Sequence, residues 1–155
     1  MDMPAPTAAH KLLHALVGNW VGEEKMHPSP WAPTGAVAVG RVRNRAALGD
    51  LAVIQEYEQE LEGVVQFRGH GVFTFDGKAN QHTLYWFDSM IQSPPNVFVG
   101  GFRGHSLILV HSGEEGRVRA SWELMHADNY SYRMEVSGDG ATWQPMMEAI
   151  YRRQK

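Results

Sequence analysis

Leu16-Val17-Gly18-Asn19-Trp20-Val21-Gly22-Glu23-Glu24 is the stretch where the chain changes period. Before it, Leu12, Leu13, Leu16 and Val17 recur at the spacing of one helix face, with Thr7 placed as N-cap. After Gly18 the pattern is alternation broken by turn residues. The turns are read at Pro28 to Thr34, Gly49 to Ala52, Asp76-Gly77, Ser93 to Asn96, Gly104-His105, Gly113 to Gly116, Ala127 to Asn129 and Asp139-Gly140. Strands of this number and spacing, joined by short loops, predict an all-β fold. It is an antiparallel up-and-down β-barrel of about ten strands with a short N-terminal helix. One domain spans residues 1–155: a flexible N-terminus over 1–6, a helix over 7–17 and the barrel over 18–153.

Composition narrows the function classes. None of the 155 residues is cysteine, so disulfides and thiolate metal sites are excluded and a reducing, cytoplasmic setting is favoured. Met1 to Ala9 lacks the basic and apolar regions of a signal peptide. No apolar run approaches the ~20 residues of a membrane helix. The net charge is −3 and basic residues are interleaved with acidic ones, which argues against nucleic acid or an anionic membrane as partner.

Turn positions set register, and register decides which side chains share a face. A turn near Asp50 predicts Arg41, Arg43 and Arg45 opposite Glu60, Glu58 and Glu56 as an outward ladder. The inner face then carries Ala38, Gly40, Val42, Asn44, Gln55, Tyr57, Gln59 and Leu61. The Asp76-Gly77 turn puts Phe67, Gly69, Gly71 and Phe73 with His82, Leu84, Trp86 and Asp88. The Gly113–Gly116 turn groups Leu107, Leu109 and His111 with Val118, Ala120, Trp122 and Leu124. The inner set continues through Tyr130, Tyr132, Met134 and Val136 to Trp143, Pro145, Met147, Ala149 and Tyr151.

Gly18-Asn19-Trp20, following a helix and opening the first strand, resembles the G-x-W of the calycin barrels: lipocalins, fatty-acid-binding proteins and nitrobindin-like proteins. Arg45 to Gly49, Asp76-Gly77, Tyr85-Trp86-Phe87-Asp88-Ser89 and Ser137 to Trp143 extend the likeness over nearly the whole chain. The set is most similar to an uncharacterised bacterial family of calycin-like barrels, a domain of unknown function. The resemblance implies a barrel and no activity. It also implies a basic residue of the last strand laid across the G-x-W tryptophan. Parity makes that residue Arg153 on Trp20, a structural contact closing one end.

An inward Glu24, on the face of Trp20, Gly22 and Met26, must be paired or hydrogen-bonded, because a lone buried charge is very costly. It reads as a ligand anchor or general base, or as a carboxylate bonded to a neighbouring tyrosine or standing at a wet mouth. His82 and Asp88 lie roughly 20 Å apart along one strand, too far for a dyad. There is no H-x-H, H-E-x-x-H or G-x-S-x-G motif, and His10 and His14 read as a solvated helix face. Gly69-His70-Gly71 and Gly100-Gly101 lie within strands and read as kinks or close backbone approach.

A ten-stranded barrel is wider than side chains readily fill, and its predicted lining is aromatic with a few polar groups. The function read from this is non-catalytic binding of a small, partly hydrophobic or aromatic molecule. Glu24, Tyr57, His82, Trp86, Trp122 and Tyr132 are its candidate ligand-binding residues. Neither nucleic acid nor membrane is a partner on this reading, and a homodimer is compatible with it. The alternatives are a haem protein of the nitrobindin type, a scaffold or oligomerisation module with a filled core, and an enzyme with Glu24 or Asp88 as base. The haem reading lacks the late-strand histidine that the resemblance requires, since no histidine follows His126; His111 or His126 would have to substitute.

Overall fold

Ten antiparallel strands follow one another around a closed barrel, the last hydrogen-bonded to the first, in a computed structural model that describes residues 1–30, 32–90 and 95–155. A helix α1 (Ala8–Leu12) and a 3₁₀ turn (Leu13–Leu16) precede β1 (Gly18–Met26), β2 (Ala36–Ala47), β3 (Ala52–Leu61), β4 (Val64–Asp76) and β5 (Gln81–Asp88). Then come β6 (Asn96–Arg103), β7 (Ser106–Gly113), β8 (Gly116–Glu123), β9 (Asn129–Ser137) and β10 (Gln144–Arg153). The expected turns at Pro28 to Thr34 and Ser93 to Asn96 lie partly outside the described residues. A meander of this kind puts the β2–β3, β4–β5, β6–β7 and β8–β9 loops at one end and the remaining loops at the other.

The first end is plugged. Leu13 and Leu16 are fully buried there with Trp20, Val53, Phe73 and Leu107. Leu12, expected on the same apolar stripe, is exposed, because the helix tightens to 3₁₀ after it and the face rotates. The Leu16 carbonyl has no partner within its helix end. It accepts from Trp20 Nε1 and from Asn44 Nδ2, both at 2.9 Å. Arg153 lies 4.3 Å over the Trp20 ring, with Nη1 donating to the Val17 carbonyl at 3.0 Å and Nε to Ala127 O at 2.9 Å. Gly18 opens the G-x-W motif because a Cβ there would sit 2.3 Å from Arg153 Nη1, on a backbone held at φ +141°. Arg153→Ala removes the cation–π contact and both tethers. It is expected to cost about 0.5–2 kcal/mol, a melting-point fall of roughly 1–8 °C by calorimetry. An unchanged melting point would mean that the arginine closes nothing.

Two expected registers are corrected. The β2–β3 pairing sets Arg41 opposite Glu58, Arg43 opposite Glu56 and Arg45 opposite Ile54, two residues from the predicted ladder. Leu48, Gly49 and Asp50 all take positive φ, so the chain reverses within four residues. The faces survive, since a shift of two keeps parity: Asn44 and Tyr57 are buried and the arginines exposed. Arg41 still reaches Glu60 diagonally at 3.3 Å, while Glu58 turns to Arg68 at 4.0 Å.

The second correction is in β10. A bulge between Pro145 and Met147 reverses parity, so Pro145 pairs with outward Glu135. Trp143, expected inside, stands outside with Arg119 stacked 4.1 Å over its ring. Met147, Ala149 and Tyr151 beyond the bulge are buried on the inner face.

Candidate functional site

Glu24 is fully buried on β1. The wall around it is hollowed by two glycines that face each other across β1 and β2, Gly22 and Gly40. A Cβ at Gly40 would lie 2.1 Å from Glu24 Oε2, and one at Gly22 would lie 2.7 Å from Tyr151 Cδ1. The missing side chains are the space that the carboxylate and the phenol fill. From β3, Tyr57 OH donates to Glu24 at 2.7 and 2.8 Å from Oε1 and Oε2. Gln59 Nε2 lies 3.0 Å from Oε1. From β10, Tyr151 OH donates to Oε2. Among the described residues no arginine or lysine joins the cluster, so neutral donors compensate the carboxylate.

Two further phenols border it. Tyr130 and Tyr151 have ring centroids 5.2 Å apart, and Tyr132 and Tyr151 6.3 Å. The hydroxyls of Tyr130 and Tyr132 make no hydrogen bond to a described residue, and Tyr130 is buried with its ring edge-on to Trp20. Burial first, then the Glu24 charge, holds the Tyr57, Tyr132 and Tyr151 phenols well above their ordinary pKa. Tyr130 is raised by burial, then by Tyr132 and Glu24. All four are therefore neutral hydrogen-bond donors.

Toward the end opposite the helix, inward-facing Met26, Phe67, Trp86, Val118, Tyr132 and Met134 keep partial exposure, as Phe75, Phe102 and Leu124 do at the plugged end. Among the described residues no helix covers that open end. Trp86 lies flat against β4, where a Cβ at Gly69 would fall 2.2 Å from its ring. Its Nε1 donates to Asp88 Oδ2 at 3.0 Å, and its ring stands 6.1 Å from that of Tyr57. The glycines read as kinks or close approach are thus the seat of this indole.

The structure brings Glu24, Tyr57, Trp86 and Tyr132 together and reaches Trp122 through its ring contact with Tyr132, 5.2 Å between centroids. His82 stands elsewhere. At the plugged end its Nε2–H donates to the Ala9 carbonyl at 2.8 Å, and its ring packs against Phe75 and Phe102. Gln59 and Tyr151 were not among the sequence candidates. Both have inner-face parity, and the Gly22 and Gly40 positions signal the space between them. His111 donates Nδ1–H to Val97 O at 2.9 Å, and His126 is exposed in the β8–β9 loop. Among the described residues no three histidine or carboxylate side chains gather as a metal site. Two open furrows of about 970 and 560 Å³ run along the outer wall. The first is edged by Glu23, Arg133, Glu148 and Arg152, the second by Arg103 and Arg119. The first furrow is also lined by Gly22, Tyr132 and Ala149 of the wall around the cluster, and the second by none of the cluster residues.

The profile of a family described as protein of unknown function (DUF1579) matches residues 5–153. No curated protein matches the chain. Among solved structures, Rv2717c from M. tuberculosis is similar with a TM-score of 0.70 at 16% identity, over 96% of this chain and 99% of that one. The S-type phycobiliprotein lyase CPES from Guillardia theta is similar at 0.66 and 10% identity, over 96% of this chain and 94% of that one. At these identities the likeness is one of fold. No helix among the described residues is long and apolar enough to cross a membrane.

Proposed function

The chain belongs to the DUF1579 family of proteins of unknown function, and we propose that it binds a small, partly hydrophobic molecule inside the barrel without transforming it. The observation that carries this reading is an aromatic inner wall beside a buried polar cluster. Trp86, Phe67 and Met134 supply partly exposed apolar surface, and the Glu24 cluster supplies orientation. A core meant only to be filled would use aliphatic side chains, which leave no polar atoms to satisfy. Binding without catalysis is the smaller claim, because Tyr57, Tyr151 and Gln59 already engage both Glu24 oxygens. The fold shared with a phycobiliprotein lyase is compatible with this reading and carries no ligand over to it. A cytoplasmic setting fits a chain without cysteine whose outer strand faces carry Arg41, Arg43, Glu56 and Arg68.

N-phenyl-1-naphthylamine, a neutral aromatic probe that fluoresces in apolar surroundings, tests the reading. Saturable fluorescence is expected with the wild type, and a melting point raised as bound probe stabilises the native state, by ~2.7 kcal/mol at one hundred times Kd. Trp86→Ala should fold and lose at least about tenfold in affinity, since it removes a large wall of contact. Equal affinity in that variant would place the probe outside the barrel.

A further inference from the structure

Gln59 spreads one amide nitrogen over three acceptors: Glu24 Oε1 at 3.0 Å, Tyr57 OH at 3.2 Å and Met26 Sδ at 3.5 Å. An amide nitrogen carries two hydrogens, so the three contacts share them and at most two are full hydrogen bonds. Gln59 is also partly exposed, while Glu24, Tyr57 and Tyr151 are buried. It is the loosest donor on the carboxylate and the one facing the open end.

The charges that point inward are one-sided. Glu24 and Asp88 have inner-face parity in the open half. Of the chain's 14 lysines and arginines, the described strands turn only Arg153 inward, and it is spent on Trp20 at the plugged end. The mouth histidine His111 donates to a backbone carbonyl. The interior therefore has no cation to meet an acidic ligand and has a buried carboxylate to repel one. In a partly buried site two like charges a few ångströms apart repel by several kcal/mol before relaxation.

We propose, resting on the interior-binding reading, that the ligand carries a cationic ammonium nitrogen on an aromatic body, and that this nitrogen takes the place of the Gln59 amide on Glu24 Oε1. The Tyr57 and Trp86 rings, 6.1 Å apart, supply the π-faces that such a cation prefers. Because burial keeps the phenols neutral, the carboxylate is the charge the ligand meets.

A matched series tests this: 1-naphthylmethylamine, 1-naphthalenemethanol and 1-naphthoate, titrated calorimetrically into the wild type, Glu24→Gln and Gln59→Ala at pH 7. The wild type is expected to bind the amine at least about tenfold more tightly than the acid, with the alcohol between. Glu24→Gln, nearly isosteric and uncharged, should bring amine and acid within about threefold of each other. Gln59→Ala bares Oε1 and keeps the charge, so it should hold or raise the preference for the amine, and it decides the matter if Glu24→Gln does not fold. Equal or tighter binding of the acid by the wild type, or a preference for the amine that survives in Glu24→Gln, overturns the proposal and leaves interior binding standing. Silence of all three compounds while N-phenyl-1-naphthylamine binds also overturns it. Silence of all four takes down the interior-binding reading itself.

Discussion

Raising the pH past about 10 is expected to unfold the chain in one steep step carried by its tyrosines. Four of the five, Tyr57, Tyr130, Tyr132 and Tyr151, are buried around Glu24 with phenols raised well above the ordinary value of 10.0. Burial is the first cause in each, because a phenolate in the barrel wall loses its hydration. A group whose folded pKa lies above its unfolded one gives stability that is whole below the unfolded pKa and lost as pH rises beyond it. Above pH 10 the unfolded chain releases four protons that the folded chain keeps, so stability falls by about 5.5 kcal/mol per pH unit. A domain holding 5–15 kcal/mol would exhaust it within about one to three units. Tyrosinate absorbance near 295 nm and far-ultraviolet circular dichroism measure the two sides of the linkage. They should change together, with a slope far steeper than one proton. Four phenols that titrate near 10 with the circular dichroism intact would mean that the cluster is wet and loosely held.

Gly40→Ala is the substitution expected to do most damage for its size. The added methyl would start 2.1 Å from Glu24 Oε2 and 3.0 Å from Tyr151 Cε1. The carboxylate is the end of a flexible side chain, so the clash can be relieved, but only by leaving Tyr57 and Tyr151. Overpacking costs about 1–3 kcal/mol, and buried donors parted from a charged acceptor cost about 1–3 kcal/mol each. A loss of at least about 3 kcal/mol follows, a melting-point drop of roughly 6 °C or more for a chain of this length. Gly49→Ala is the control for glycine loss itself, since a Cβ there meets nothing within 4 Å although φ is positive. Its cost should be near 1 kcal/mol. Equal losses in the two variants would show that space beside Glu24 is not what Gly40 provides.

These details mark how far the sequence could be read. The barrel, its ten strands and the inner-face residues follow from alternation and turn spacing, because parity survives a register error of two. The β2–β3 pairing did not follow, since the Arg41–Glu60 attraction is satisfied diagonally as well as directly and so does not fix register. Trp143 was misplaced because nothing in Pro145-Met146-Met147 announces a bulge. At the site, Glu24 stood out as a carboxylate on an apolar face, and a tyrosine partner was one of its expected fates. Which tyrosines reach it depends on barrel closure pairing β1 with β10, 127 residues away for Tyr151. His82 has the right parity and the wrong height: face is legible from alternation, and position along the barrel axis is not.

The methionines offer the most direct test of a binding barrel. Met26, Met134 and Met147 lie on the inner face, while Met90 and Met125 are exposed outside it. With carbon-13 on the methionine methyls, a titration with N-phenyl-1-naphthylamine is followed in one two-dimensional spectrum. Interior binding predicts saturable shifts at Met26, Met134 and Met147 with Met90 and Met125 unmoved. Shifts confined to Met90 and Met125, or none at any methyl under saturating probe, would contradict it.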